Sequence, residues 1–150
     1  MTASRIVVLI GLPGCGKSTW AAVRTAVQTS AVISSDAIRL LLSDDVANQN
    51  IHGRVFATMR YLLRHRLALN RPVTYMDATH LTQAERRPYF SLARWYSARV
   101  EAAYFDVPLD VCLHRNRNRG RQVPEQVLIS MAARLEPPVP EEGFTLIERP

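Results

Sequence analysis

A glycine-rich loop near the start of the sequence has the residue types that bind a triphosphate. Residues 11–18 fit the pattern G-x-x-x-x-G-K-S/T, directly after an apolar run and before a helical pattern, which is the context that this motif requires. Glycines let backbone N–H groups turn inward toward phosphate oxygens, and the helix adds the positive end of its dipole. We expect Lys17 to reach the β- and γ-phosphates, Ser18 to ligate Mg²⁺ and Thr19 to touch the α-phosphate. The other residues predicted to line this phosphate loop are Gly11, Pro13, Gly14, Cys15 and Gly16.

An aspartate and an arginine follow the second strand-like run. Asp36 comes directly after residues 31–34, and Arg39 is three residues further on. Since ligands of parallel sheets sit beyond the carboxyl ends of the strands, Asp36 is placed to accept a proton from an attacking hydroxyl. An aspartate here also suits the N-cap of the next helix, and the two roles are compatible.

Four arginines occupy alternate positions from residue 115 to residue 121. Gly120 interrupts the predicted helix and Pro124 opens the next one, so the arginines crowd a helix–turn–helix. A solvated basic helix face is one interpretation. The other is a lid over residues 115–135 that clamps phosphates and neutralises charge on a transferring phosphoryl group.

Strand and helix patterns alternate along the chain and position these motifs. The predicted strands are residues 5–10, 31–34, 72–77, 100–105 and 144–147. The predicted helices are residues 17–29, 36–42, 53–69, 83–96, 109–118 and 123–135. The alternation predicts an α/β fold with a five-stranded parallel sheet flanked by helices, as a single domain over residues 1–150.

Composition and charge exclude several classes of protein. No run of about 18 apolar residues occurs, which excludes a transmembrane helix, and we expect no signal peptide. Two cysteines are too few for a disulfide framework, so a reduced, cytoplasmic setting is predicted. The net charge of +6 favours polyanionic partners such as nucleotides or nucleic acids. Lys17 is the only lysine, so the Asn-Lys-x-Asp segment with which GTPases read guanine is absent.

Further segments follow the phosphate loop in a specific order. They are Ser34-Ser35-Asp36 with Arg39, Ser43-Asp44-Asp45 before Asn48-Gln49, Asp77-Ala78-Thr79, and Arg115-Asn116-Arg117-Asn118-Arg119 before Arg121-Gln122-Val123. Together with the loop, they resemble the 5′-hydroxyl polynucleotide kinases of bacterial and phage nucleic-acid repair enzymes, in particular the kinase module of bacterial polynucleotide kinase-phosphatase end-healing proteins. The resemblance covers nearly the whole chain. It implies a P-loop kinase fold with a helical lid, ATP or another NTP as donor, Mg²⁺ as cofactor, and 5′-OH ends of DNA or RNA as acceptors.

The resemblance also implies roles for single residues. Asp36 would be the general base, and Arg39 would hold a phosphate of the acceptor. Arg115 and Arg119, four residues apart on one helical face, would reach the donor phosphates and assist Lys17 in catalysis. The residues implied at the edges of the two pockets are Arg121 and Val123 beside the adenine, Asp77, Thr79 and His80 toward the acceptor, and Gln49 in the acceptor or the donor pocket.

Two of these residues carry alternatives. Asp77 ends the third predicted strand, where we expect it to hold a Mg²⁺-bound water or to orient a basic residue such as Arg39; a strand-end cap onto the Thr79 turn is the other interpretation. His80 departs from the family, which often has Asn after Asp-Ala-Thr. We expect His80 to replace that hydrogen bond or to bias the choice of acceptor.

Other functions share part of this pattern. P-loop kinases of small hydroxyl compounds, with antibiotic, sugar or zeta-toxin-like acceptors, have the loop and the aspartate, but a neutral acceptor does not need Arg39. A non-catalytic nucleotide-binding regulator has no use for a hydroxyl-activating base. Arg60 and Arg64 share one face of the long predicted helix, which is either a solvated face or a track for a nucleic-acid backbone.

Overall fold

The computed structural model describes residues 2–120 and 122–150. Its five strands are β1 (Arg5–Ile10), β2 (Ala31–Ser34), β3 (Val73–Asp77), β4 (Arg99–Tyr104) and β5 (Leu146–Glu148). Its α-helices are α1 (Lys17–Thr25), α2 (Ser35–Ser43), α3 (His52–Ala68), α4 (Gln83–Tyr96), α5 (Leu109–Arg117) and α6 (Glu125–Arg134). All strand pairs are parallel, in the order β2-β3-β1-β4-β5. The predicted α/β fold with a five-stranded parallel sheet is confirmed.

The sheet is buried on both faces, which explains the nearly continuous apolar runs of its central strands. Side chains of β1 alternate between two clusters, because successive residues of a strand point to opposite faces. Val8 packs with α3 and α4 on one face, through residues such as Met59. Leu9 packs with α1, α5 and α6 on the other face, through residues such as Leu128. None of the helices in the described part of the chain has the length and hydropathy needed to span a membrane.

The strand order brings the loops that follow β1, β2 and β3 to one edge of the sheet. β1 lies between β3 and β4, so the chain leaves β1 toward one side of the sheet and later crosses to the other. This reversal opens a crevice beyond the carboxyl end of β1, which is where ligands of such sheets bind. The register pairs Ser34 of β2 with Asp77 of β3, so the residues after both strands are neighbours at this edge.

Most elements lie within one or two residues of the predicted bounds, and two of the differences have local reasons. α1 ends at Thr25 rather than residue 29, because the N–H groups of Val27 and Gln28 both bond to the carbonyl of Arg24 and close the helix with a turn. β5 begins at Leu146 rather than residue 144, since the Phe144 ring packs against another phenylalanine of the core before the strand starts. A short 3₁₀ turn at Pro140–Glu142, which the sequence patterns do not predict, precedes it.

A completely buried arginine joins that turn to α4. Arg86 forms a two-pronged ion pair with Glu142, with Nε–Oε1 and Nη2–Oε2 distances of 2.9 and 3.0 Å. Its Nη1 donates to the carbonyl of His80 at 2.8 Å, and Glu142 Oε2 also accepts from the N–H of Val139 at 3.0 Å. Every charged oxygen and nitrogen of the pair therefore has a partner, which is the condition for burying an ion pair.

Candidate active site

The phosphate loop wraps around the start of α1, as its glycines allow. Gly14 and Gly16 have φ values of +82° and +96°, in the left-handed region that favours glycine. Gly16 is the N-cap of α1 and provides no side-chain cap, so the first N–H groups of the helix are left to a ligand in the crevice. A Cβ at Gly14 would lie 3.4 Å from the carbonyl oxygen of Cys112, which shows how closely α5 approaches the loop.

Lys17 lies folded against the loop that precedes it. Its side chain is buried, and Nζ donates to the carbonyls of Gly11 and Leu12 at 2.9 Å each and lies 3.4 Å from Cys15 Sγ. Gly11 is itself tied to the neighbouring strand end, because its N–H bonds to the carbonyl of Thr79 at 3.1 Å. The ammonium group is thus held at the mouth of the loop on backbone acceptors that a more negative ligand can replace.

Ser18 and Asp77 meet across the floor of the crevice. Ser18 Oγ donates to Asp77 Oδ2 at 2.7 Å, and Asp77 is buried. Burial raises the pKa of Asp77, while the Ser18 hydrogen bond and the charge of Lys17 oppose the rise. Hydroxyl and carboxylate oxygens are ligands that Mg²⁺ prefers, and Mg²⁺ takes the rest of its shell from phosphates and water. The pair therefore fits that ion, although no group of three or more His, Cys, Asp or Glu in the described residues is arranged as a metal cage.

The structure assigns the cap of α2 to Ser34 rather than to Asp36. Ser34 Oγ accepts a hydrogen bond from the N–H of Ala37 at 3.2 Å, and Asp36 is already the second residue of the helix. The interpretation of Asp36 as the N-cap is therefore wrong. Its side chain lines the crevice and is 51% exposed.

Arg39 is buried beside Asp36 and also lines the crevice. Its Nη1 lies 3.5 Å from Asp36 Oδ1, and only 5% of the residue is exposed. Its Nε is buried and has no hydrogen-bond partner among the described residues. The expected pairing of Arg39 with Asp77 is not formed within those residues, because Asp77 bonds to Ser18 and Arg39 turns to Asp36.

The arginines that follow β4 divide between the crevice and the surface. Arg115 and Arg119 line the crevice; Arg115 Nη1 donates to the carbonyl of Gly14 at 3.3 Å, and Arg119 Nη1 is buried with no hydrogen-bond partner in the described part of the chain. Arg117 points away and pairs with Glu125 at 2.6 Å on the surface. The four-residue spacing thus separates two crevice arginines from the solvated one. Arg121, predicted beside the adenine, lies outside the described residues.

An asparagine holds the turn between α5 and α6. The buried side chain of Asn116 donates to the carbonyl of Val123 at 2.6 Å and accepts from its N–H at 2.8 Å. This two-way bond fixes Val123, which lines the crevice. Asn116 belongs to the arginine-rich motif, but its role depends on a contact seven residues away, which the sequence pattern does not show.

The crevice has a volume of about 1250 Å³ and gathers most of the predicted site residues. Those that line it are Pro13, Gly14, Cys15, Gly16, Lys17, Ser18, Thr19, Asp36, Arg39, Gln49, Asp77, Thr79, Arg115, Arg119 and Val123. Gly11 is buried behind it and supports Lys17. His52 and Phe56, at the start of α3, also line it and were not predicted.

His80 does not reach the crevice, which corrects its predicted place in the acceptor pocket. The side chain is completely buried, with Nδ1 2.6 Å from the carbonyl oxygen of Leu9 and Nε2 2.7 Å from the hydroxyl of Tyr89. A carbonyl only accepts, so Nδ1 carries the proton and Nε2 accepts from Tyr89. Burial lowers the pKa of His80 to about 4, so the ring is a neutral core group.

Comparisons with known proteins agree with this architecture. The AAA domain family matches residues 6–138. L-seryl-tRNA(Sec) kinase of Methanococcus maripaludis is 25% identical over 138 residues, which are 89% of this chain and 53% of that protein. The chain thus spans about half the length of this curated relative. Among solved structures, a chain of the Pnkp1/Rnl/Hen1 RNA repair complex has a TM-score of 0.77 at 20% identity, covering 90% of this chain and 45% of that one. A gluconokinase from Sinorhizobium meliloti 1021 has a TM-score of 0.64 at 19% identity, covering 98% and 81%.

Proposed function

This chain belongs to the AAA domain family, and from that membership and its P-loop kinase fold we propose that it is a polynucleotide 5′-hydroxyl kinase. The proposed reaction transfers the γ-phosphoryl group of ATP, or of another NTP, to the 5′-OH end of DNA or RNA. The coarser part of the proposal, a phosphotransferase with a hydroxyl acceptor, rests on the phosphate loop facing Asp36. The finer part, the polynucleotide acceptor, rests on Arg39.

The burial of Arg39 is the observation that best supports a polynucleotide acceptor. Its guanidinium lines the crevice, yet the carboxylate beside it is 3.5 Å away and half exposed, and its Nε lacks a partner among the described residues. A buried cation is costly unless it is fully paired and hydrogen-bonded. The phosphate next to a 5′-OH end supplies the missing charge and acceptors in the geometry that arginine prefers. A neutral sugar supplies neither.

The proposed chemistry gives each of these side chains a role. Asp36 accepts the proton of the 5′-OH while the 5′ oxygen of the acceptor attacks the γ-phosphorus. The bond between that phosphorus and the β–γ bridging oxygen breaks, which releases the nucleoside diphosphate. Arg115 and Arg119, together with Lys17, neutralise the charge that spreads over the transferring group. Catalysis is thus positioning and charge stabilisation, with no covalent intermediate on the protein.

Donor binding uses the opposite wall of the crevice. The loop and the first turn of α1 offer N–H groups to the phosphates, and Val123, held by Asn116, offers an apolar contact to the base. Ser18 and Asp77 would hold Mg²⁺, which supplies further positive charge to the donor phosphates when it is bound. The region of α5 and α6 is proposed as the lid that presents the arginines.

A second acceptor deserves a direct test because of the curated relative. The name of L-seryl-tRNA(Sec) kinase points to the hydroxyl of a serine that is joined to tRNA, and this chain is 25% identical to that protein. Both acceptors place a hydroxyl near an RNA phosphate, so Arg39 and Asp36 suit either. A small hydroxyl compound, the sugar acid gluconate, is the third arm, given the gluconokinase neighbour.

The experiment is transfer of labelled phosphate from γ-labelled ATP to a matched set of acceptors. The set contains DNA and RNA oligonucleotides with 5′-OH ends, the same strands with 5′-phosphate ends, seryl-tRNA and gluconate. We expect label on the 5′-OH strands and none on the blocked ones. Label on seryl-tRNA or gluconate, with none on 5′-OH strands, would contradict the polynucleotide assignment.

A further inference from the structure

A second concave surface lies between α3 and α4, outside the crevice. It has a volume of about 630 Å³, and the residues that matter here are Arg60, Tyr61 and Arg64 of α3 and Arg87 and Pro88 of α4. We call this surface the α3–α4 groove. The donor, acceptor-end and metal roles proposed above use none of its residues.

The groove is positively charged and its charges are not neutralised. Arg60, Arg64 and Arg87 line it together with no acidic residue. Within residues 2–120 and 122–150, none of the three forms an ion pair, whereas Arg86 and Arg117 each have a carboxylate. The acid nearest to them on α4, Glu85, instead accepts a hydrogen bond from the N–H of Leu81. Three cations on a concave surface focus a positive potential on whatever enters it.

The groove continues the crevice along a single helix. His52, Phe56, Arg60 and Arg64 follow one another at four-residue intervals, so they form a stripe on α3. The first two line the crevice and the last two line the groove. At 1.5 Å per residue, the stripe runs about 18 Å away from the acceptor side of the crevice.

We infer that the α3–α4 groove binds the nucleotides of a single-stranded acceptor that follow its 5′ end. This inference rests on the proposed polynucleotide kinase function and adds where the rest of the strand lies. Arginines would pair with successive phosphates, and Tyr61, which is 56% exposed, offers a ring on which a base can stack. A charged groove combined with an exposed aromatic ring is how proteins bind single strands without reading sequence.

The test compares a dinucleotide acceptor with a strand of about 16 nucleotides. The variant Arg64→Ala/Arg87→Ala removes two cations from the groove and leaves the crevice unchanged. We expect the KM for the long strand to rise about tenfold, with kcat and the KM for the dinucleotide unchanged. Binding of the fluorescent long strand without ATP, measured against salt, should lose about 1.4 from its log–log slope, since each phosphate contact on a single strand contributes about 0.7.

The matched control is Arg71→Ala/Arg99→Ala. Both arginines are exposed and neither lines the groove, so this variant removes the same charge and leaves the groove lining unchanged. It should leave the length preference and the salt slope as they are. If both double variants weaken strand binding equally, general charge explains the effect and the groove is excluded.

The outcomes separate this inference from the proposed function. If 5′-OH ends are phosphorylated equally well at all lengths and Arg64→Ala/Arg87→Ala changes nothing, the groove is overturned and the kinase proposal stands. If no 5′-OH end is phosphorylated but the strand binds with a salt dependence that requires Arg64 and Arg87, the kinase proposal is wrong and the inference that the groove binds a single strand is supported. If there is neither phosphorylation nor binding, both fall.

Discussion

The hydroxyl of Ser18 lies 2.7 Å from the carboxylate of Asp77, although 59 residues separate them in sequence. The bond joins the first turn of α1 to the end of β3 on the floor of the crevice, where the proposed metal would sit. One oxygen from a helix and one from a strand are thus already close together before Mg²⁺ binds. This arrangement lowers the entropic cost of ordering the two ligands when the ion binds.

We predict that Asp77→Asn weakens the binding of Mg²⁺ by removing the negative charge of this ligand pair. The concentration of Mg²⁺ needed for half-maximal phosphoryl transfer should rise about tenfold or more, while the variant stays folded, since asparagine keeps an acceptor for the Ser18 hydroxyl. Titration of the reaction with Mg²⁺ measures this. An unchanged titration curve would show that Asp77 has no part in holding the ion.

Asp36→Asn should reduce the rate of phosphoryl transfer by about 10²–10⁴-fold, because the acceptor hydroxyl loses its general base. Thermal stability should fall only slightly, since Ser34 and not Asp36 caps α2 and the pair of Asp36 with Arg39 is long and half exposed. Ser34→Ala is the matched control: it should lower the free energy of unfolding by about 1 kcal/mol and leave the chemical step in place. Rates together with thermal unfolding of both variants distinguish the two roles, and near-normal rates in Asp36→Asn would remove Asp36 from the mechanism.

Arg39→Lys should act on the acceptor and not on the donor. Lysine keeps the charge but loses the planar fork that holds a phosphate with two hydrogen bonds. We expect the KM for 5′-OH strands to rise about tenfold with the KM for ATP unchanged. A nucleoside without a 3′-phosphate has no group for Arg39 to hold, so wild type and variant should treat it alike. A larger effect on ATP than on the strand would contradict this placement.

We predict that the buried pair of Arg86 and Glu142 contributes to the stability of the fold and has no part in catalysis. Glu142→Ala leaves a fully buried guanidinium without its carboxylate and should cost about 3–5 kcal/mol of unfolding free energy. The exposed pair of Arg149 and Asp106 is the control, because solvent screens it, and Arg149→Ala should cost far less. Denaturant unfolding measures both variants. Similar losses for the two would mean that burial does not set the strength of the pair.

His80 predicts how stability changes with pH. Its pKa is about 4 in the folded chain and near the ordinary value of 6.5 when unfolded, so between these values the unfolded state binds the extra proton. Stability contributed by His80 is complete above pH 6.5 and is lost as the pH falls toward 4. At about 1.4 kcal/mol per unit, the loss reaches about 3 kcal/mol.

The variant His80→Asn should remove this slope. Asp77 works in the opposite direction, because burial raises its pKa and the folded state then holds its proton more readily. Comparing unfolding free energies of wild type and His80→Asn across pH 4 to 7 isolates the histidine. Parallel curves would exclude it as the cause.

Most elements and much of the site could be predicted from the sequence because both depend on local patterns. Buried parallel strands appear as short apolar runs, and the phosphate loop carries its own context. What could not be predicted depends on contacts between distant segments. His80 is drawn into the core by Leu9 and Tyr89, and Ser34 rather than Asp36 caps α2 because of where the helix begins. The register that ends β2 and β3 together is likewise set by pairing across the sheet.

The strand order has a consequence for how such a protein diverges. β2 and β3, with Asp36 and Arg39 after β2, lie on one side of β1, whereas β4 and the arginines of α5 lie on the other. Under the proposed function, the residues after β2 contact the acceptor and the arginines of α5 contact the donor phosphates, whereas Ser18 and Asp77 hold the metal between them. Substitutions after β2 can therefore change which hydroxyl is phosphorylated, while the binding of the donor phosphates stays the same.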